Sequence, residues 1–171
     1  VLINKGDGTF SHEQDRVPNI VRTTQDLILF DVDGDEDDDM MVGNENGNLL
    51  LLNDGNGYFS DATSTHLPPA IAIETRKIAA GDVDMDGDMD VFLSNVAFIA
   101  GKNPQNRLYL NDGHGHFSDV TAAQLPVDSD HTIDAIFEDL DLDNDLDLVV
   151  ANVFGGPLKA YLNDGRGFFA D

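Results

Sequence analysis

The sequence contains no cysteine, which excludes disulfides and thiol chemistry without fixing a compartment. It has no apolar run near the roughly 18 residues of a membrane-spanning helix. Basic residues are scarce: 9 Lys and Arg stand against 33 Asp and Glu, for a formal charge of -24. So acidic a chain repels nucleic acid and anionic membrane. The nucleophile elbow, the H-E-x-x-H zinc motif and the phosphate loop are all missing. Low hydrophobicity with high charge can mean disorder. Here 41% of residues are apolar and fall in short β-rich runs, which argues for a folded chain. At 171 residues it can bury a core as one domain, taken as residues 1–171. It opens on Val1 inside a strand-like run and stops at Asp171 just after another begins. It therefore reads as a fragment or a processed piece, with any signal peptide upstream.

What is abundant is aspartate at alternate positions. Three stretches carry five each: Asp31, Asp33, Asp35, Asp37 and Asp39; Asp82, Asp84, Asp86, Asp88 and Asp90; Asp139, Asp141, Asp143, Asp145 and Asp147. Each runs into an apolar segment ending in Asn44, Asn95 or Asn152. Five carboxylates in nine residues repel one another unless a cation sits among them. Hard oxygen donors at this density suit Ca2+, about three ions per chain. A merely solvated acidic loop does not explain three copies in one register. The EF-hand is excluded, because its bidentate Glu at position 12 is replaced by Val42, Leu93 and Val150. Nonapeptide β-helix repeats are excluded because the acidic stretches lie some fifty residues apart.

A second motif alternates with the first. It reads Asn4 to Phe10, Asn53 to Phe59, Asn111 to Phe117 and Asn163 to Phe169, each with two glycines before the aromatic residue. The leading Asn residues step by 49, 58 and 52, and the acidic stretches by 51 and 57. A period near 50 points to propeller blades or a related array. Asn and Gly accept the positive φ of a tight hairpin turn, so the motif reads as structural. Phe10, Phe59, Phe117 and Phe169 read as plugs between packed sheets.

One unit resolves into four strands. Strand 1 is Leu27 to Phe30, Ile78 to Ala80 and Ile133 to Phe137, and strand 2 follows the acidic loop. Strand 3 is Leu49 to Leu52, Arg107 to Leu110 and Leu158 to Leu162, with Val1 to Ile3 left over. Strand 4 starts at the Phe. The fold class is all-β: blades of four antiparallel strands, in units of about 1–25 (partial), 26–75, 76–131 and 132–171. Three blades do not close a ring, so either further blades or several copies of the chain are expected to close it.

Alternating Asp, an apolar strand, Asn, and then an L-Y-L-N-D-G-x-G-x-F-like turn resemble the FG-GAP/VCBS repeats. These occur in integrin α-subunit propellers and in acidic extracellular proteins of the cartilage acidic protein type. The resemblance implies a β-propeller, usually of about seven blades, with a calcium loop between strands 1 and 2. It implies side-chain ligands at loop positions 1, 3, 5 and 9 and a backbone carbonyl at position 7. Those are Asp31, Asp33, Asp35 and Asp39 with the Asp37 carbonyl; Asp82, Asp84, Asp86 and Asp90 with the Asp88 carbonyl; Asp139, Asp141, Asp143 and Asp147 with the Asp145 carbonyl. The sixth position, often Gly in the family, holds Glu36, Gly87 and Asn144. Asn tolerates left-handed φ and Glu does so poorly, so the first loop fits the pattern worst.

The functional expectation is a calcium-stabilised binding module, not an enzyme. Dependence on millimolar calcium implies an extracellular, cell-surface or periplasmic setting, and the resemblance implies adhesion or recognition roles. In an up-down-up-down blade the two repeated motifs share one end, and the variable segments share the other. A protein or glycan partner is expected at the variable end. Candidate contacts there are Arg22, His66, Arg76, Phe98, Lys102, His131 and Phe154, although each taken singly reads more readily as a packing or solvated residue. The alternative is a calcium-dependent polysaccharide lyase or hydrolase. His66, His114, His116 and His131 could supply acid or base, but His114 and His116 read as exposed turn residues.

Overall fold

Alternating apolar residues between glycine turns form fifteen short elements in the computed structural model, which describes residues 1–171. A hairpin of β1 (Leu2–Asn4) and β2 (Phe10–His12) comes first. The first blade is β3 (Thr24–Phe30), β4 (Asp39–Asn44), β5 (Leu49–Asn53) and β6 (Phe59–Asp61), in that spatial order. A single turn of helix, α1 (Thr63–His66), leads to the second blade: β7 (Glu74–Gly81), β8 (Asp90–Val96), β9 (Arg107–Asn111) and β10 (Phe117–Asp119). After α2 (Thr121–Gln124), the third sheet is β11 (Thr132–Glu138), β12 (Asp147–Asn152) and β13 (Lys159–Tyr161). All pairings are antiparallel.

Strands 1 to 3 fall where the residue pattern puts them, and β6 and β10 begin at Phe59 and Phe117 as expected. The third sheet departs from the expectation. Its fourth strand is reduced to one bridge between Leu162 and Ala170. The helices α1 and α2, a turn each, were not legible in the linking segments. No sheet closes on itself, and the blades stand side by side with β7 between β3 and β11.

The core is two layers between blades. Phe30, Met41 and Leu50 of the first blade meet Ile78, Leu93 and Phe117 of the second. Phe92 and Leu108 of the second meet Leu148, Val150, Tyr161 and Phe169 of the third. Phe117 and Phe169 are therefore the plugs the motif suggested. Phe59 packs at the edge of a smaller cluster on Val42, Leu49 and Leu51. Phe10 does not plug anything, being 59% exposed. Each fully buried Leu or Phe contributes roughly 1.5–3 kcal/mol, so stability resides at the blade boundaries.

Every first strand carries a bulge near its start, at Thr24/Asp26, Thr75/Lys77 and Thr132/Asp134. A bulge re-aims one side chain and sharpens the local twist. It brings Arg76 within 2.6 Å of the Gln25 amide oxygen on the neighbouring blade.

Candidate metal centres and the opposite end

Each acidic loop winds around its first aspartate. Asp31 accepts hydrogen bonds from the backbone N–H of Gly34 (2.8 Å) and Glu36 (3.0 Å). Asp139 accepts from Leu142 (2.7 Å) and Asn144 (3.2 Å), and Asp82 from Asp86 and Gly87 (both 3.1 Å). Wrapping the chain this tightly requires left-handed backbone at loop positions 4 and 6. Gly34 and Gly87 supply it freely. Glu36 adopts it at φ 70°, as do Met85 at 61°, Leu142 at 67° and Asn144 at 76°. The sixth position drew attention in the sequence; the fourth is equally constrained and was missed.

The ninth aspartate joins the two motifs. Asp39 accepts from Val32 N (3.1 Å) in its own loop and Asn53 N (2.7 Å) in the hairpin turn. Asp90 does the same with Val83 and Asn111 (3.0 and 2.9 Å), and Asp147 with Leu140 and Asn163 (both 2.9 Å). All three are buried. The turn in return reaches the preceding blade: Asn111 Nδ2 donates to Val32 O (2.8 Å) and Asn163 Nδ2 to Val83 O (2.7 Å). The two glycines of the turn have separate reasons. A Cβ at Gly113 would collide with the Asp88 carboxylate of its own blade. One at Gly115 would press on Val32 and Asp33 of the blade before, at 3.3–3.4 Å. The alternation of motifs is thus a blade-to-blade joint.

The carboxylates converge in each loop. Oxygens of Asp31, Asp33 and Asp39 lie within 4.8 Å of one another, as do those of Asp82, Asp84 and Asp86, and of Asp139, Asp141 and Asp143. These triplets take in nine of the twelve side-chain positions implied by the resemblance, three in every loop; Asp35, Asp90 and Asp147 stand outside their triplets.

 Position 5 accepts from the position-7 N–H in all loops, at 3.0–3.2 Å. Position 9 is held by its two backbone donors.

The electrostatics of the loops are unbalanced. Burial, and then repulsion from the position-5 carboxylate, push the acid constants of Asp33, Asp84 and Asp141 upward. Burial also raises Asp39, and raises Asp90 to about 7. Asp145 rises to about 6, from burial and then the neighbouring carboxylates Asp143, Asp147 and Asp141. One oxygen each of Asp33, Asp84 and Asp145 is buried with no hydrogen-bond partner. A divalent cation reverses this logic, because it favours every ionised carboxylate at once. The donor set is all hard oxygen, and its orphaned atoms belong to the loops themselves, so the residues fit a calcium-like ion.

A different network recurs at the other end of the blades. Thr24, Thr75 and Thr132 donate to Asn44, Asn95 and Asn152 (2.9, 2.8 and 2.7 Å). Asn48 and Asn106 then donate across the blade boundary to Thr75 (3.0 Å) and Thr132 (2.8 Å). The sequence showed Asn44, Asn95 and Asn152 as strand ends; their Thr partners, 20 residues away, were not legible.

Around this network the loops diverge. Four of the seven candidate contacts come together: Phe98, His131 and Phe154 have ring centroids 5.3–5.6 Å apart, with the Arg76 guanidinium 4.9 Å from the Phe98 ring. His131 Nδ1 accepts from Ala97 N at 3.0 Å, which leaves Nε2 as the protonated nitrogen of the neutral ring. Arg76 pairs with the buried Glu74, whose other oxygen accepts from Ile99 N (3.1 Å). Phe154 is 80% exposed and takes a left-handed φ of 58°. Lys102 reaches Asn46 on the first blade (3.0 Å), and Arg22 lies exposed nearby in sequence to β3. His66 does not belong with them. It stacks on His116 of the hairpin turn, centroids 4.3 Å apart, because α1 carries it down to the turn. His114 and His116 are exposed, as expected of turn residues.

The family model described as FG-GAP-like repeat matches residues 31–93 and 96–150. Among solved structures, the chain is similar to a lectin of Agrocybe aegerita, described for specific recognition of non-reducing terminal N-acetylglucosamine. Identity is 21% and the TM-score 0.57, a likeness of fold. It covers 99% of this chain and 44% of the lectin, so the chain spans less than half the lectin's length. No curated protein matches the chain.

Proposed function

The chain belongs to the FG-GAP-like repeat family, and on that premise we propose that it is a calcium-stabilised recognition module of extracellular type. The observation that carries this reading is the threefold recurrence of converging carboxylates with orphaned buried oxygens. In the proposed sites, Asp31, Asp33, Asp35 and Asp39 hold the first ion with the Asp37 carbonyl. Asp82, Asp84, Asp86, Asp90 and the Asp88 carbonyl hold the second. Asp139, Asp141, Asp143, Asp147 and the Asp145 carbonyl hold the third. Bound calcium would supply the positive charge that lets each loop keep its carboxylates ionised.

The blades form a sector of a β-propeller in this reading, with β3, β7 and β11 innermost. Side-by-side packing of those strands supports it. Further blades or further copies of the chain would complete the ring. Recognition falls to the end opposite the calcium loops, where the segments differ from blade to blade. The ligand class is a glycan, a reading supported by the fold shared with a lectin. Binding is favoured over catalysis, because the close carboxylate sets are the ones a cation would hold.

The test is glycan binding by the whole chain in millimolar calcium and again after chelation. The expected result is calcium-dependent binding to a defined set of glycans. Failure to retain any glycan on a broad array, with calcium bound and the fold intact, would overturn the glycan reading.

A further inference from the structure

The blade boundaries offer an internal comparison. Between the second and third blades, Asn106, Leu125, Pro126 and Tyr161 frame a crevice of only about 10 Å³. Two side chains fill it. Asp128 accepts from the Tyr161 hydroxyl at 3.3 Å, and its N–H donates to Gln105 Oε1 at 2.8 Å. Gln105 Nε2 contacts the Pro126 carbonyl at 3.4 Å.

The same frame recurs one boundary earlier, as Asn48, Leu67, Pro68 and Tyr109. There Gly47 stands in place of Gln105 and Ala70 in place of Asp128. Nothing fills the space, and the crevice measures about 410 Å³. That lies within the range of small-ligand sites.

Its lining fixes the ligand's chemistry. No charged side chain borders it. Leu67, Pro68, Ile71 and Ile73 give apolar walls. The Asn48 amide is already spent on Asn44 N and Thr75 Oγ1, so it is a rigid wall rather than a free hand. Tyr109 is 5% exposed, and no group of the protein hydrogen-bonds its hydroxyl. Burial pushes that hydroxyl's acid constant up to about 12, so it stays a neutral donor. The hydroxyl is open to the crevice and free to pair with a ligand placed there. The Ser64 hydroxyl at the rim is unpaired as well.

We infer that the crevice between the first and second blades binds one neutral pyranose ring, as the terminal residue of a glycan. The apolar walls take the C–H faces of the ring, and the Tyr109 and Ser64 hydroxyls pair with its hydroxyl groups. The second boundary carries its own substitute for the sugar in Asp128 and Gln105. This inference rests on the glycan reading above and locates its site. A purely apolar ligand would leave the Tyr109 hydroxyl unpaired, and an acidic sugar would meet no cation.

The test is a titration of the calcium-loaded chain, followed by amide NMR, with methyl glycosides of glucose, galactose and the N-acetylhexosamines. Glucuronic acid and hexanol serve as the charged and apolar comparisons. Two variants are run beside it. Ala70→Asp copies the plug of the second boundary, and Tyr109→Phe removes only the hydroxyl. At least one neutral glycoside is expected to shift Ser64, Ala70 and Ile71, with binding at least tenfold weaker in both variants. If glycosides bind but both variants bind equally well, the crevice is overturned while the glycan reading stands. If hexanol alone binds there, the pyranose assignment is overturned. If no glycoside binds anywhere and the glycan array is also blank, both readings fall.

Discussion

The two ends of a blade are built on opposite rules. At the loop end, Asp39, Asp90 and Asp147 hold equivalent partners at nearly equal distances. Even the joint to the preceding blade repeats, in Asn111 and Asn163. At the other end only the Thr–Asn ladder recurs, and the chain around it changes at each boundary. One crevice there is filled and its counterpart is open. The difference shows where the fold is specified and where the chain is free to carry recognition.

The comparison can be broken most severely by removing calcium. A ligand at a hundredfold over its dissociation constant stabilises a fold by about 2.7 kcal/mol per site. Three independent sites give about 8 kcal/mol, or a fall of roughly 15–30 °C in Tm on chelation. Differential scanning calorimetry with and without chelator measures this.

Next in size is Asp90→Ala. It strands the buried N–H groups of Val83 and Asn111 and is expected to cost about 2–5 kcal/mol by urea denaturation. Thr75→Val at the opposite end loses bonds to Asn48 and Asn95. It should cost less, about 1–3 kcal/mol, and leave calcium stoichiometry unchanged. Equal costs, or a lost ion in Thr75→Val, would erase the distinction between the ends.

The pH response sharpens the same contrast. Asp90 titrates near 7 and Asp145 near 6 in the metal-free fold, above the usual 3.8. Between pH 4 and 7 the folded chain therefore holds protons that the unfolded chain has released. Stability of the metal-free chain should fall as pH rises through that window and level off above it. With calcium present, protons compete with the ion, and stability should instead fall as pH drops. Melting curves from pH 5 to 8 in calcium and in chelator should have opposite slopes.

The smallest effects are gains. Glu36→Gly or Leu142→Gly removes left-handed strain, at φ 70° and 67°, without touching a proposed calcium ligand. Each is expected to add about 1 kcal/mol, read as a shift in the urea midpoint. Loss of stability in both would mean that these side chains do something the backbone geometry does not require.

Much of this was legible in the sequence because the repeats compare the chain with itself. The acidic loops, the strands flanking them and the Phe starting β6 and β10 all follow from spacing and periodicity. The joint between motifs was not legible, since Asn111 and Val32 are 79 positions apart and meet only by packing. The strain at Met85 and Leu142 was hidden because neither residue type advertises positive φ. His66 was assigned to the wrong end, since a one-turn helix has too few residues to declare itself. The open crevice depends on two small residues, Gly47 and Ala70, whose meaning appears only beside Gln105 and Asp128.

The most direct measurement is native mass spectrometry of the chain in calcium, repeated with Asp84→Asn. Three calcium ions on the natural chain and two on the variant are predicted. No bound calcium, or a count that Asp84→Asn leaves unchanged, would contradict calcium held by the aspartate loops.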